Sequence, residues 1–477
     1  MDMTLSIDIF IQIFNYLIIF FAVFVMLSYI ILAIISGVSL TAYLKENRFV
    51  NYNALLSLES APRVSLIAPA YNEGKTIQEN VRSLLAINYN NFDVIVVNDG
   101  SKDDSIPVLI KAFELVISKM QYVPEIPTKE VKGIYVSSNP AFSKLIVVDK
   151  FNGGKADALN TGMNLSKNPY VVCIDVDCIM DKDVLLKLAK PYLEQSDKKV
   201  IATGGVVRIA NSCVIKSGKL IEVKAPDNFL ARIQVIEYMR AFILGRMAWS
   251  KLDGLLIISG AFGMFDKEIA IKSGGYDTNT VGEDMELIVR MRRYMIDCKE
   301  SYVVQYIPDP LCWTEAPESY KILGKQRSRW MRGTIETLWT HRKMMFNPKY
   351  KTLGLLSYPY WLFAEYYAPL IEVTGILITV ILVVLGIISW KFFLLFLLLV
   401  YLFAVMFSMM ALYTEEATFK RYETLGDLKK LTVVALLEPI IFHPFTVYAA
   451  LKGNWEKISG NKGWGDMTRT GFDKKPK

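Results

Sequence analysis

A chain of 477 residues, of which 52% are hydrophobic and whose mean hydropathy is +0.29, is too apolar for an ordinary soluble protein. We therefore expect a soluble domain joined to membrane segments. The net charge of +7 comes without a long basic run, which argues against nucleic acid as a partner. With only two histidines, a histidine-rich metal site or a Ser-His-Asp triad is nearly excluded, so acid–base chemistry must fall to Asp and Glu.

The first apolar segment has no charged residue between Asp8 and Lys45. It is long enough to cross ~30 Å of hydrocarbon, and it lacks the basic start and the cleavage site of a signal peptide. Residues 1–45 therefore predict a transmembrane helix. The acidic start and the following Lys45 and Arg48 indicate that the chain continues on the cytoplasmic side.

Residues 46–345 have the pattern of a soluble α/β domain. Short β-branched runs without polar alternation predict buried strands at 64–69, 93–98, 144–149 and 170–175. Helical patterns lie between them, at 76–87 and 155–166. This alternation predicts a doubly wound sheet with ligands at the carboxyl ends of its strands. The polar, proline-bearing stretch 118–143 is predicted to be an insertion or surface loop.

Residues 346–452 predict interfacial and transmembrane helices. The aromatic stretch 357–369 is typical of a membrane interface. Uncharged runs on both sides of Lys391 predict two spans joined by a short turn.

The last apolar stretch, 431–451, is interrupted by Glu438 and Pro439. It either crosses the membrane once or forms a re-entrant or interfacial hairpin. The hairpin would keep the basic tail, 453–477, on the cytoplasmic side, as the positive-inside rule favours.

Two carboxylates, Asp175 and Asp177, stand at the end of the strand predicted at 170–175. Carboxylates at this spacing can share a hard divalent cation, Mg²⁺ or Mn²⁺, that also takes phosphate oxygens. The alternative is a loop with solvated acids.

Two other strand ends carry polar side chains. Asp99 ends the second predicted strand and is suited to accept hydrogen bonds from a base or ribose, although a simple turn explains it equally well. In the stretch APAYNEG, residues 68–74, Tyr71 could stack on a base and Glu73 could bind a ribose.

Lys155 follows a glycine pair in the stretch NGGKADALN, residues 152–160. Backbone N–H groups and a lysine at a helix start can bind an anion, and the spacing is not that of a P-loop. A tight turn with a surface lysine is the alternative.

Glu283 and Asp284 stand just before a predicted helix, where Asp284 could act as a general base. Acids that only stabilise a helix start are the alternative.

The stretch KQRSRWMRG, residues 325–333, combines four cations with a tryptophan. On a helix, Gln326 and Trp330 lie one turn apart with Arg329 beside them, where a planar guanidinium could hold a diphosphate. The alternative is a basic helix at the membrane surface. Lys325, Arg327 and Arg332 are expected to face acids, lipid headgroups or solvent.

The order of these motifs resembles the membrane-embedded family 2 glycosyltransferases, which include the poly-N-acetylglucosamine, hyaluronan, cellulose and chitin-oligosaccharide synthases. The resemblance covers roughly Arg63 to Trp339. It implies a GT-A type, Rossmann-like mixed α/β sheet with helices on both faces, fused to an α-helical transmembrane bundle. Two departures, the long 118–143 stretch and a single N-terminal span, leave the product open.

The resemblance also implies residue roles. Asp284 would be the catalytic base with Glu283 beside it, and Asp177 would bind Mg²⁺ or Mn²⁺. Ser259 and Gly260 fall in the acceptor-side loop. Gln326, Arg329 and Trp330 would clamp the diphosphate and the acceptor. The nucleotide-sugar site would contain Ala68, Tyr71, Glu73, Asp99, Lys155, Asp175 and Asp177.

The activity implied is inverting transfer from a nucleotide-sugar donor, a UDP-sugar, to a growing β-linked polysaccharide that the membrane bundle exports. Single addition to a lipid-linked acceptor is the alternative. A catalytically dead scaffold is disfavoured because every motif residue is present. The implied setting is the plasma (inner) membrane with a cytoplasmic catalytic domain, membrane lipids as partners and accessory export subunits.

Overall fold

The computed structural model of the protein describes residues 3–56, 58, 60–194, 197–216 and 218–460. Its strands, in chain order, are β1 (Val64–Ala70), β2 (Phe92–Asp99), β3 (Leu115–Ile117), β4 (Val131–Ser137), β5 (Leu145–Lys150), β6 (Tyr170–Ile174), β7 (Ile179–Met180), β8 (Lys199–Ile209), β9 (Val214–Lys216), β10 (Lys219–Glu222), β11 (Phe262–Asp266) and β12 (Tyr302–Thr314). The four strands predicted from the sequence correspond to β1, β2, β5 and β6, and every end agrees within one residue.

The described strands other than β9 and β10 form one mixed sheet in the order β3-β4-β5-β2-β1-β6-β11-β8-β12-β7. β5, β2, β1 and β6 run parallel, and β11 joins β6 to β8 in antiparallel pairing. Successive residues of β1 and β2 are buried, so both faces of the sheet are covered. This is a GT-A-like α/β core, and the carboxyl ends of its parallel strands meet at one edge.

The long first helix and the helices around the sheet are α1 (Met3–Asn47), α2 (Tyr52–Leu56), α3 (Ile77–Leu85), α4 (Ser105–Phe113), α5 (Lys155–Leu165), α6 (Val184–Leu193), α7 (Phe229–Met239), α8 (Met247–Lys251), α9 (Lys267–Lys272), α10 (Glu283–Asp297) and α11 (Tyr320–Thr340). The helices predicted at 76–87 and 155–166 are confirmed as α3 and α5. A π-helix over Arg240–Arg246 joins α7 to α8.

The stretch 118–143 is not wholly the loop that was predicted. Residues Val131–Ser137 form β4, which pairs with β5 and β3 at the edge of the sheet. Most side chains of β4 are half-exposed, and Lys132 and Gly133 interrupt its apolar residues, which hid the strand from a search for continuous apolar runs.

The membrane helices are α12 (Tyr358–Tyr360), α13 (Ala368–Val384), α14 (Trp390–Thr418), α15 (Leu425–Ile441) and α16 (His443–Ile458). By length and composition, Ile11–Asn47 and Trp390–Thr418 can each cross a membrane. Two bent pairs can each serve as one broken span or a re-entrant loop: Leu353–Tyr366 with Ala368–Val384, at 43°, and Leu425–Ile441 with His443–Ile458, at 50°. Both alternatives for 431–451 therefore stand, and most of the basic tail lies outside the described residues.

Buried ion pairs join the sheet domain to the membrane helices. Arg208 on β8 pairs with Glu415 on α14, and both side chains are almost fully buried. Arg240, where α7 ends, pairs through two nitrogens with Glu438 on α15, at 2.8 Å each. Removing one partner of such a pair leaves a buried charge, so the pairs fix how the two parts of the chain meet.

Candidate active site

The first wall of the site is the glycine turn after β5. Asp99, the last residue of β2, is buried, and its oxygens accept hydrogen bonds from the amides of Gly153 (2.9 Å) and Gly154 (2.8 Å). Lys150 lies 2.6 Å from both Asp99 and Asp157 and is itself fully buried. Asp99 therefore shapes the turn that leads into α5. Each of its two oxygens accepts two hydrogen bonds within the protein, and the predicted contact of Asp99 with a base or ribose stays a prediction.

Lys155, the first residue of α5, is the central cation of the site. Its Nζ lies 2.6 Å from Asp175 and 3.9 Å from Glu283, and it donates a hydrogen bond to the Gly260 carbonyl at 2.9 Å. Burial opposes the charge of this ammonium group, but Asp175 and Glu283 outweigh it and raise the pKa of Lys155. The group therefore stays protonated and can face an anion.

Asp175 and Asp177 lie just beyond β6, and their carboxylates approach the Cys178 thiol, with ligand atoms within 4.8 Å of one another. A hydrogen bond with Cys312 and burial raise the pKa of Cys178, so the thiol stays protonated and is a poor ligand. The remaining donors are carboxylate oxygens, which suit Mg²⁺ or Mn²⁺. Asp175 is paired with Lys155, and the assignment of Asp177 as the metal ligand stays a prediction.

Asp284 lies in the first turn of α10, and its two oxygens accept hydrogen bonds from the amides of Gly260 (2.9 Å) and Met285 (2.8 Å). Gly260 is thus brought directly to the predicted base, with Ser259 beside it. The neighbouring Glu283 is buried, and this burial raises the pKa of Glu283 to about 7, against the opposing effect of Lys155.

The helix that carries Gln326, Arg329 and Trp330 is α11, whose start is capped by the Ser319 side chain. It touches the loop before α10 without intervening side chains, since a Cβ atom placed on Gly333 would lie 2.6 Å from the Gly282 Cα. Glu336, one turn further along α11, accepts hydrogen bonds from Thr280 (2.9 Å) and the Val281 amide (3.1 Å). α11 is therefore fastened to the loop that leads from α9 into α10, the helix that carries the predicted base.

The basic residues of α11 do different things. Arg329 interacts electrostatically with Glu283, an effect smaller than the burial that raises the pKa of Glu283, and its contact with a diphosphate stays a prediction. Arg327 pairs with Glu237 and Arg332 approaches Glu456, so both face acids as predicted. The structure adds that the Arg327 guanidinium also lies 4.2 Å from the centre of the Trp330 ring.

The remaining predicted contacts lie after β1. Tyr71 is 47% exposed, so its ring can be reached by a base, and Glu73 accepts a hydrogen bond from Thr76 at 3.2 Å. Ala68 is fully buried inside β1. Its place in the nucleotide site stays a prediction.

Several residues of the site were missed by the sequence reasoning. The sequence carries no signal for Lys150, because a lysine at a strand end usually faces water. Gly333 had a readable signal, because a glycine inside a helix costs stability and usually has a packing reason. Arg246, on the π-helix, interacts electrostatically with Asp284, and nothing in its local sequence indicates this.

The comparisons with known proteins agree with this geometry. The family model described as glycosyltransferase like family 2 matches residues 62–333, and the chitin synthase model matches residues 276–449. The first match covers more than half of the chain and contains the turn, the carboxylates and the α11 motif. The protein belongs to glycosyltransferase family 2.

Among curated proteins, the chain is similar to the poly-β-1,6-N-acetyl-D-glucosamine synthase of Staphylococcus aureus, with 27% identity over 329 residues. It is 29% identical over 334 residues to the synthase of the same name from Staphylococcus epidermidis. Each alignment covers 69% of this chain and 66% of the relative, so it spans just under two thirds of those proteins.

Among solved structures, the chain is similar to a mannosyltransferase from Pyrobaculum calidifontis in complex with GDP-mannose and Mn²⁺, at 17% identity and a TM-score of 0.49. That match covers 92% of this chain and 99% of the other. A glucosyl-3-phosphoglycerate synthase from Mycobacterium tuberculosis, in complex with Mn²⁺, UDP-glucose and phosphoglyceric acid, gives a TM-score of 0.36 at 16% identity, over 61% of this chain and 84% of the other.

Proposed function

We propose that the protein is an inverting membrane glycosyltransferase that extends a β-linked polysaccharide from a UDP-sugar donor. The observation that carries this proposal is the meeting of Lys155, Asp175 and Glu283 with the Asp284–Gly260 contact at one sheet edge, closed by α11. The names of the staphylococcal relatives make UDP-N-acetylglucosamine the first donor to test.

The proposed chemistry is a single displacement. Asp284 removes the proton from the acceptor hydroxyl, whose oxygen attacks the anomeric carbon as the nucleoside diphosphate leaves. Lys155 and Arg329 stabilise the negative charge that develops on the diphosphate. A Mg²⁺ or Mn²⁺ ion held by Asp177 would supply further stabilisation of that charge. Proton removal by a placed base contributes ~10²–10⁴-fold, and alignment of donor with acceptor contributes much of the rest.

A polar cluster among the apolar helices supports export of the product. Tyr360 interacts with Tyr29 on α1 and with Glu365, and Arg240 and Glu438 add to the electrostatic surroundings of Tyr29. Polar side chains at membrane depth usually face protein or a water-filled path. This cluster combines residues from α1, the segment 358–366 and α15 with Arg240 of the sheet domain, and we propose that it contributes to an export path.

The proposed setting is the plasma (inner) membrane with the sheet domain in the cytoplasm, where UDP-sugars are made. Lys45 and Arg48 at the end of α1 support this orientation. Membrane lipids are partners by necessity, and accessory export subunits are a further proposal.

The test uses the purified full chain in proteoliposomes with radiolabelled UDP-N-acetylglucosamine and Mg²⁺ or Mn²⁺. The product is sized and digested with glycosidases of known linkage specificity. A long β-linked polymer supports the proposal, and a single sugar on a lipid supports the non-processive alternative. Absence of transfer from any of the common UDP-sugars would overturn the proposal.

A further inference from the structure

Arg327 makes two contacts at once on α11. Its two terminal nitrogens each lie 2.7 Å from one oxygen of Glu237, which is a bidentate pair. The same guanidinium lies 4.2 Å from the centre of the Trp330 ring, one turn away. The Arg327 side chain is only 10% exposed. A planar guanidinium can pair by its edge and contact an aromatic ring by its face, which an ammonium group cannot do.

Glu237 connects this contact to the membrane. It lies on α7, one turn before Arg240. Arg240 is held by Glu438 on α15 through two hydrogen bonds of 2.8 Å, and by Ser408 on α14 at 2.8 Å. A row of alternating charges therefore runs from Trp330 to two membrane helices. The π-helix begins at Arg240, and such segments frequently occur at functional sites.

Trp330 is held on one side and open on the other. Its side chain is 41% exposed although Arg327 packs against it. An aromatic ring with one open face offers a flat apolar surface, which suits the C–H face of a sugar. The orientation of that surface is set by Arg327, and the orientation of Arg327 is set by Glu237.

We propose that Arg327 and Glu237 are positioning residues that orient Trp330 toward the acceptor sugar and couple that orientation to the membrane helices through Arg240. This inference rests on the proposed glycosyl transfer. It separates Arg327 from Arg329, which the proposed mechanism assigns to the leaving diphosphate. Loss of the Arg327–Glu237 pair should therefore impair use of the acceptor and leave donor binding intact.

The experiment compares Arg327→Lys and Glu237→Gln with the matched control Arg293→Lys, whose residue belongs to a half-exposed ion pair with Asp297. In proteoliposomes, both test variants should lower kcat for transfer roughly tenfold and shorten the product, because they lose a bidentate, ring-stacked contact. The donor KM, and donor hydrolysis without acceptor, should change less than about twofold. The control should behave as the wild type.

Two results would overturn the inference: transfer at the wild-type rate in both test variants, or a loss of donor affinity equal to the loss of transfer. Failure of the proposed function can be distinguished from both results. In that case the wild type itself would transfer no sugar, and the transfer activity of Asp284→Asn would be the same as that of the wild type.

A readout independent of turnover follows Trp330 itself. Acrylamide quenching of tryptophan fluorescence is compared with and without Trp330→Phe, which isolates the signal of this ring. Arg327→Lys should increase the quenching of that signal, and unchanged quenching would contradict the positioning role.

In the swapped double variant Glu237→Arg/Arg327→Glu, the ion pair is restored but a carboxylate faces the ring. We expect recovery of the melting temperature without recovery of transfer, and recovery of both would show that the ring contact is not needed.

Discussion

Gly282 and Gly333 pack backbone to backbone, so that the loop carrying the predicted base and the helix carrying the predicted clamp are in direct contact. A Cβ atom on Gly282 would lie 2.7 Å from the Gly333 Cα, which is closer than such atoms approach. Gly333→Ala should therefore push α11 away from Asp284 and lower kcat for transfer at least roughly tenfold, because small misplacements of catalytic groups are costly.

Gly324 provides the matched control on the same helix. A Cβ atom there would lie 3.5 Å from Phe445, an ordinary contact distance. Gly324→Ala should keep wild-type transfer and stabilise the protein by up to about 1 kcal/mol, since alanine is the better helix former. Equal activity of the two alanine variants would contradict the close contact of the loop with α11.

Asp284→Asn should abolish transfer while UDP binding survives, because the amide keeps the shape of the carboxylate but cannot accept the acceptor proton. Transfer is measured with radiolabelled donor and UDP binding by isothermal titration. Normal turnover by this variant would refute the base assignment. Loss of UDP affinity together with turnover would instead indicate that Asp284 holds the structure of the site.

Asp177→Ala should remove the dependence of UDP affinity on Mn²⁺. The wild type should lose affinity when the metal is chelated and regain it when Mg²⁺ or Mn²⁺ is added. Asp227→Ala is the control, since this acid is exposed and pairs with Lys430 at the surface. Unchanged Mn²⁺-dependent affinity in Asp177→Ala would exclude this carboxylate as the metal ligand.

Substitution of Lys150 should mainly reduce stability, whereas substitution of Lys155 should mainly reduce transfer activity. Lys150→Met leaves the buried carboxylates of Asp99 and Asp157 without their cation and should lower the free energy of unfolding by about 3–5 kcal/mol. Lys155→Met affects a side chain that is 19% exposed and faces the site, so it should reduce transfer with a smaller loss of stability. Denaturant unfolding and transfer assays of both variants check this, and the reverse pattern would contradict it.

The raised pKa of Glu283 predicts a stability that falls as the pH rises. Because burial raises this pKa from 4.5 to about 7, the folded protein binds the proton more tightly than the unfolded chain between these values. The melting temperature of the wild type relative to Glu283→Gln should therefore fall across that interval and stay level above it. Thermal unfolding over about pH 4.5 to 8.5 tests this. A difference that rises with pH would contradict it.

Much of the fold could be predicted because its signals are local. The parallel strands β1, β2, β5 and β6 are continuous apolar runs, and α1 and α14 are apolar over a membrane thickness. β4 was missed because Lys132 and Gly133 interrupt its apolar residues, so it does not form the continuous apolar run of the buried parallel strands. Strand pairing is a tertiary property that a local pattern does not carry.

The sequence indicated which types of residue form the candidate site, but it did not indicate most of the contacts between them. Lys155 and Asp284 lie in the first turns of α5 and α10, at the helix starts that their motifs indicated. The role of Asp99 could not be decided from the sequence, because a carboxylate at a strand end can bind either a ligand or a neighbouring turn. Arg327 faces an acid as expected, but which acid could not be predicted, since Glu237 lies 90 residues away in the chain.

The central claim is that this sheet edge transfers sugars to a growing chain through Asp284. The most direct measurement compares the wild type with Asp284→Asn in proteoliposomes, with radiolabelled UDP-N-acetylglucosamine, an added divalent metal and sizing of the product. We predict a long polymer from the wild type and none from Asp284→Asn, with UDP binding retained in both. The same polymer from both proteins, or only a single added sugar from the wild type, would contradict the account.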